Sequence, residues 1–266
     1  MSTKGASTNS GTIPLPRANS VLVERTAVLP IVKEYGEYRR YLRHDFFYSC
    51  AYCTMAESEA TAIRFEIDHY EPQTARPDLI LEYTNLMYSC DECNSRKGDL
   101  CPPPDARTAG FRVFRPDHDA FGDHFEKSGL RLNSKSNTGY YSIEALDLNR
   151  ALLRRLRELR ERLDYCERFV AEGVAALRGF HIDQLPRGVK AQAARLIKQM
   201  VTLADKLENE IDDVLRDYAR SPLDAPDPDG EKRAAERAKI LSDLKIMYPG
   251  AWRGRQLRDK SDPKKK

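Results

Sequence analysis

CAYC (50–53), RFEIDHYEP (64–72) and NLMYSCDECNSRKG (85–98) follow one another in a chain of 266 residues. Cys50 and Cys53 make one CxxC pair and Cys90 and Cys93 a second. Two such knuckles can close a tetrahedral thiolate site for zinc. A thioredoxin-type redox pair uses a single CxxC at a helix start, so the doubled motif favours the metal. Four thiolates fill the zinc tetrahedron and leave no position for water, so this Zn2+ is expected to be structural. The chemistry must then come from the residues between and just after the knuckles.

In the middle segment Phe65, Ile67 and His69 fall at every second position, which predicts a strand carrying all three on one face, with Asp68 and His69 near its end. A loop with Pro72 and Pro77 follows. The polar run Asp91 to Lys97 after the second knuckle predicts a helix ahead of the breaker at Cys101 to Pro104. The predicted order is strand, turn, strand, helix.

With an Asp-His pair, an Asn85-Leu86 pair before the second knuckle and Asn94 just after it, residues 50–100 resemble the HNH endonucleases of the ββα-metal (His-Me finger) fold, in the subgroup pinned by two CxxC knuckles. The resemblance implies that His69 is the general base that activates water for attack on a phosphodiester. It implies that Asp68 and Asn94 hold one divalent cation, that Asn85 fixes the loop between the strands and orients His69 through a backbone contact, and that Lys97 touches a phosphate. It further implies a 5′-phosphate and a 3′-hydroxyl as products. The family often has a histidine where this chain has Asn94. An amide oxygen is a harder ligand than imidazole, which points to Mg2+ or Mn2+ at the catalytic site. An imidazole whose ordinary pKa is near 6.5 is neutral and basic at cellular pH, in keeping with the role assigned to His69.

Outward from this unit, residues 1–20 are rich in Ser, Thr, Gly and Pro, the composition of a disordered leader. Tyr35, Tyr38 and Tyr41 recur at helical spacing and predict a short supporting helix before the first knuckle. Residues 110–145 carry turn-formers at Ser128-Gly129, Ser136-Asn137 and Thr138-Gly139, so an irregular or hairpin region is expected there, closing a nuclease domain over 21–145. Leu148, Leu152, Leu156, Leu159, Leu163, Cys166 and Val170 then mark one face of an amphipathic helix. A second face runs through Ile197, Met200, Ala204, Leu207, Ile211, Val214 and Tyr218. With the Pro186-Arg187-Gly188 turn before it, the pair predicts an antiparallel helical hairpin over 146–220. A Pro-rich linker (221–230), a helix over 231–250 capped by Asp229 or Gly230, and a basic tail (251–266) complete the chain. The fold class expected is α+β, a small ββα-metal unit with a helical C-terminal region.

Lys and Arg number 44 against 41 Asp and Glu, so net charge leans only slightly toward a polyanionic partner and any nucleic-acid contact must be local. The arginines clustered between 150 and 162 are interleaved with acids, a pattern that commonly makes a solvated face. Phosphate contact by Arg154, Arg155 and Arg157 is the sharper reading. His118 and His124 sit among aspartates without ligand spacing and are read as locally hydrogen-bonded. Cys166, on its helix's apolar face, is read as a small hydrophobe and Cys101 has no near partner. No apolar run reaches membrane-spanning length and no signal sequence is visible, so a cytoplasmic protein is expected.

The function expected is metal-dependent hydrolysis of DNA, in a bacterial restriction or anti-phage defence setting, with DNA and a partner protein of such a system as its contacts. Two rivals stand beside it. One is an inactive zinc-knuckle module that binds nucleic acid or protein, and the other is an RNA-directed nuclease or toxin subunit. The first has no need of Asp68, His69, Asn85 and Asn94 together; competition between DNA and RNA separates the second.

Overall fold

The computed structural model describes residues 22–60, 62–178, 186–219 and 226–254. The expected leader therefore lies outside the described residues, as do the first half of the Pro-rich linker and all but the start of the basic tail. The described residues form an α+β structure of two small antiparallel sheets and eight helices.

Strand β1 (Phe65–His69) pairs antiparallel with β2 (Leu86–Cys90), in a register that sets Phe65 opposite Cys90, Ile67 opposite Tyr88 and His69 opposite Leu86. Helix α1 (Arg39–Asp45), entered through a 3-10 turn at Tyr35–Tyr38, packs on β2 and buries Leu42 and Phe46 completely. Helix α2 (Asp91–Lys97) starts directly from the end of β2 and stops at Gly98, whose φ of +47° suits a residue without a Cβ. The first knuckle is tied to the sheet by the Ala51 N–H, which donates to the Tyr88 carbonyl at 2.7 Å. Both knuckles thus hang from β2, and strand, strand and helix follow in the expected order.

Next come α3 (Pro104–Thr108), α4 (Phe121–His124) and a hairpin of β3 (Phe125–Ser128) with β4 (Arg131–Ser134) that turns at Gly129 with φ of +54°. Sequence reading expected turns to continue through Thr138-Gly139. The structure instead begins helix α5 (Asn137–Leu146) there, because Ser136 is an N-cap whose Oγ accepts from the Gly139 N–H at 3.1 Å. Gly139 is where α5 meets α4 most closely, since a Cβ built on it would stand 1.9 Å from the His124 carbonyl oxygen. The apolar side of α5, with Tyr141 and Leu146 fully buried, packs against α2 and joins the core.

Helix α6 (Ala151–Arg178) and helix α7 (Arg187–Ala219) lie against each other. Arg155 pairs with Asp217, and Arg162 with both Asp217 and Glu210, an order that makes the two helices antiparallel. Leu152, Leu156, Leu159 and Cys166 are buried, as their spacing predicted. Leu163 and Val170, assigned to the same face, are 40% and 46% exposed. Past Arg160, which still binds Glu59 and Thr54 of the first unit, α6 runs on against α7. On α7, Val214 is buried and Ile197, Leu207 and Ile211 are half-buried; the side chains of Met200, Ala204 and Tyr218 are outside the described set.

Helix α8 (Gly230–Met247) packs on α5. The chain then returns to the first unit: Trp252 is buried, the Cys101 N–H donates to its carbonyl at 2.9 Å, and the Gly254 N–H donates to the Asp99 carbonyl at 2.8 Å. The stretch read as tail from 251 is at its start a fixed strap across the residues that follow α2.

Candidate active site and metal centre

Cys50 and Cys53 come from the first knuckle, Cys90 ends β2 and Cys93 lies in the first turn of α2. Their four Sγ atoms all lie within 4.8 Å of one another, with Cys53 and Cys90 at 3.8 Å. Sulfurs around a tetrahedral zinc with Zn–S near 2.3 Å stand about 3.8 Å apart, so this donor set fits the ion. Three of the cysteines are buried and Cys53 is half-buried. Arg150, at the entry to α6, completes the surroundings. Its side chain is buried, donates to the carbonyls of Leu146 (3.1 Å) and Asp147 (3.3 Å), and points Nη2 at Cys93 Sγ, 3.5 Å away. Burial opposes its charge, yet the Cys93, Cys53 and Cys90 sulfurs hold the guanidinium more firmly protonated than usual. A cation here offsets the net negative charge that four thiolates would leave on a zinc site. Sequence reading missed Arg150, which carried no signal beyond standing first in an arginine-rich run.

His69 ends β1 and is 7% exposed. Its Nε2 lies 3.0 Å from the Ile80 carbonyl oxygen, an acceptor only, so the neutral ring carries its proton on Nε2 and its lone pair on Nδ1. The Gln73 amide donates to that Nδ1 at 3.1 Å, and the Tyr35 ring meets the imidazole edge-on at 4.8 Å between centroids. Burial lowers the His69 pKa below its ordinary 6.5, which favours the neutral form at cellular pH. The sequence did not single out Gln73, and it marked Tyr35 only as part of a supporting helix.

Asn85 braces the loop that holds this ring. Its Oδ1 accepts from the Glu71 N–H at 2.8 Å, and its Nδ2 donates to the carbonyls of Glu71 (3.1 Å) and Leu79 (3.3 Å). The residue after Leu79 supplies the carbonyl that takes the His69 proton, so Asn85 acts on the imidazole through one intervening stretch of backbone.

Asp68 is buried beneath β1. One carboxylate oxygen accepts from the Tyr52 hydroxyl, and the other from Lys97 Nζ at 3.0 Å. The same ammonium donates to the His69 carbonyl at 2.6 Å, and Lys97 is fully buried. Burial and the adjoining Asp68 carboxylate raise the Tyr52 phenol well above its ordinary range, so it stays a donor. Tyr52 lies inside the first knuckle and thereby links the thiolate cluster to the strand bearing His69.

Residues 50–100, the span that holds the thiolate cluster, the His69 strand and α2, match the family model described as HNH endonuclease. This segment is an HNH endonuclease domain. Over 102 residues the chain is also 28% identical to the Septu protein PtuB of Bacillus thuringiensis, an alignment covering 38% of this chain and 36% of that protein. The chain thus matches little more than a third of the length of this curated relative. No solved structure matches.

Within the HNH domain, two sequence expectations meet a different arrangement. Lys97, read as a phosphate contact, has no exposed surface, because the strand-to-helix packing brings its ammonium onto Asp68. Asp68 and Asn94, read as joint ligands of one cation, do not converge on a free position. Both Asp68 oxygens are engaged as above, while Asn94 donates its amide to Glu66 Oε2 at 2.6 Å. As a pair they do not fit a divalent ion in this arrangement.

Arg154, Arg155 and Arg157 of α6 also face inward to the protein. Arg154 binds Asp229 at 2.8 Å, Arg155 donates to the Asp217 carbonyl at 3.1 Å, and Arg157 donates to the carbonyls of Leu130 (2.9 Å) and Leu148 (2.6 Å). Burial pushes Arg157 down to about 10. Their partners come from far along the chain, which helical charge pattern could not reveal. His124 Nδ1 lies 2.6 Å from Ser136 Oγ, a local hydrogen bond of the expected kind, whereas His118 is exposed beside Asp117. Among the described residues, the four cysteines are the one group of three or more His, Cys, Asp or Glu side chains close enough to share a metal.

Proposed function

We propose that this protein is an endonuclease that hydrolyses phosphodiester bonds of DNA, with His69 as general base. One observation carries the reading: inside an HNH domain, the His69 imidazole is held by a backbone carbonyl on Nε2, which leaves Nδ1 to accept a proton. Gln73 moves off Nδ1, a water takes its place, and Nδ1 receives the proton as the water oxygen attacks phosphorus. The 3′-oxygen then leaves and takes up a proton from solvent, giving a 5′-phosphate and a 3′-hydroxyl. Mg2+ or Mn2+, when bound, polarises the phosphoryl group and stabilises the leaving oxygen.

Zinc at Cys50, Cys53, Cys90 and Cys93 is structural in this reading. It keeps β2 and the start of α2 in place and, through Tyr52, steadies Asp68 beneath the base. Likeness to the Septu protein PtuB supports a defence role, in which the hairpin of α6 and α7 docks a partner protein. With Arg154, Arg155 and Arg157 committed to internal bonds, docking is favoured over a grip on DNA by that helix. The protein acts in the cytoplasm; no described helix is long and apolar enough to cross a membrane.

Incubating the purified protein with plasmid DNA and Mg2+ or Mn2+, beside His69→Ala and with competing RNA, tests the proposal. Nicked or linear DNA with the parent and none with the variant is expected. Equal cleavage by both would assign the activity to other residues, and preferential loss of RNA would assign the substrate to the rival reading.

A further inference from the structure

Lys97, Arg154, Arg155 and Arg157 are committed to internal bonds, so a polyanionic strand brought to His69 must find its counter-charge elsewhere. Charge is unevenly spread along the chain. Residues 255–266 hold six Lys and Arg against two Asp, while the whole chain is only +3, which leaves the rest net negative. This basic stretch begins where the strap at Trp252 to Gly254 ends, and the strap ends on the loop that serves His69.

Arg253 bridges to Leu100, and the next residue, Gly254, presses onto that loop. A Cβ built on Gly254 would stand 1.9 Å from Thr74 Oγ1 and 3.1 Å from the Ala75 nitrogen, so the approach requires glycine. Within the loop, the Pro72 carbonyl accepts from the N–H groups of Ala75 (2.9 Å) and Arg76 (2.8 Å). That single turn contains Gln73, whose amide reaches His69 Nδ1, and it closes on Arg76. The contact of Gly254 with Ala75 therefore makes Arg253 and Arg76 neighbours on the His69 loop.

Both guanidiniums stand in water. Arg253 is 60% exposed and pairs with Asp99 at 2.7 Å; Arg76 is 51% exposed and pairs with Asp78 at 2.6 Å. Exposed pairs of this kind contribute little to stability, so exchanging the carboxylate for a phosphate costs little. A guanidinium also takes phosphate oxygens in the same forked geometry as carboxylate oxygens.

We infer that the DNA backbone crosses this rim, with Arg76 and Arg253 on phosphates flanking the scissile one and the basic residues after Gly254 on phosphates farther along the duplex. This deepens the nuclease reading and rests on it.

Affinity of the zinc-loaded full chain for a short DNA duplex, measured against salt without added Mg2+ or Mn2+ so that strands stay intact, tests the inference. Changing Arg76 and Arg253 together to Ala is expected to reduce the slope of log affinity against log salt by about 1.8, near 0.9 for each lost phosphate. Gln at all six basic positions of 255–266 should reduce it by about 3 or more, with the melting temperature unchanged because the strap through Gly254 is retained. Asp78→Asn and Asp99→Asn release the same two guanidiniums and should raise affinity. Were the pairs only structural, each acid variant would lose affinity together with its arginine variant, a result that would overturn the placing of phosphates on Arg76 and Arg253. An unchanged slope in the six-Gln protein would overturn the inference, as would a parent that binds no duplex at about 50 mM salt. Plasmid cleavage by the parent beside His69→Ala reports separately on the nuclease reading, so the two can fail independently.

Discussion

Replacing Lys97 by Met would remove the cation that, among the described residues, contacts Asp68, while keeping most of the aliphatic volume. Both side chains are almost wholly withdrawn from water, at 0% and 5% exposed, and Nζ serves two acceptors, Asp68 Oδ1 at 3.0 Å and the His69 carbonyl at 2.6 Å. Deleting one member of a buried pair leaves an uncompensated charge, a loss of about 3–5 kcal/mol. For a chain of this size each kcal/mol moves the melting temperature by roughly 2–4 °C, so a fall of roughly 6–20 °C is expected. Adding Asp68→Asn to Lys97→Met removes the stranded charge and should recover about 0.5–3 kcal/mol relative to the sum of the single losses. Thermal and urea unfolding of the parent, both single variants and the double variant give this cycle. A Lys97→Met protein within about 1 kcal/mol of the parent would refute the burial argument. So would a drop of about 0.9 in the slope of log DNA affinity against log salt, since that is the signature of a lost phosphate contact.

Exchange of Cys90 for Ser should yield insoluble or locally unfolded protein, because a structural zinc can contribute on the order of 10 kcal/mol to its module; metal analysis of the parent should return one tightly held zinc per chain. His69→Ala should slow cleavage by about 10² to 10⁴ with the fold intact by circular dichroism, the range a general base contributes. Because burial places the folded His69 pKa below its unfolded value, the unfolded chain binds that proton first as pH falls. His69 therefore costs no stability above about pH 6.5, and its penalty grows as pH drops from there toward the folded value; the acid limb of kcat/KM should lie below 6.5. Changing Arg154, Arg155 and Arg157 together to Ala should lower the melting temperature and leave the salt slope of DNA affinity unchanged, whereas a slope smaller by about 3 would put these side chains on phosphates.

Much of the HNH unit was legible because its signals are local. CxxC spacing, the alternation of Phe65, Ile67 and His69, and the polar run from Asp91 to Lys97 depend only on neighbours along the chain, and each produced the element expected. The thiolate cluster followed, since pairing β1 with β2 carries Cys90 to the first knuckle. The Ser136 cap escaped because Ser, Asn, Thr and Gly start helices and make turns with the same side-chain hydrogen bonds, and only the packing of α5 against α2 distinguishes the two.

Residue types and their spacing determined the four-cysteine cluster, the strand that ends in His69 and the amphipathic helices, because periodicity and ligand chemistry are written in the order of the chain. Tertiary structure decided how the charged groups are used. Lys97 reads as a surface cation until the seam between β1 and α2 places it on Asp68, and Arg154 reads as a free guanidinium until Asp229 arrives from 75 residues away. Charge–charge energies depend on distance and on exclusion of water, and neither exists until the chain has folded.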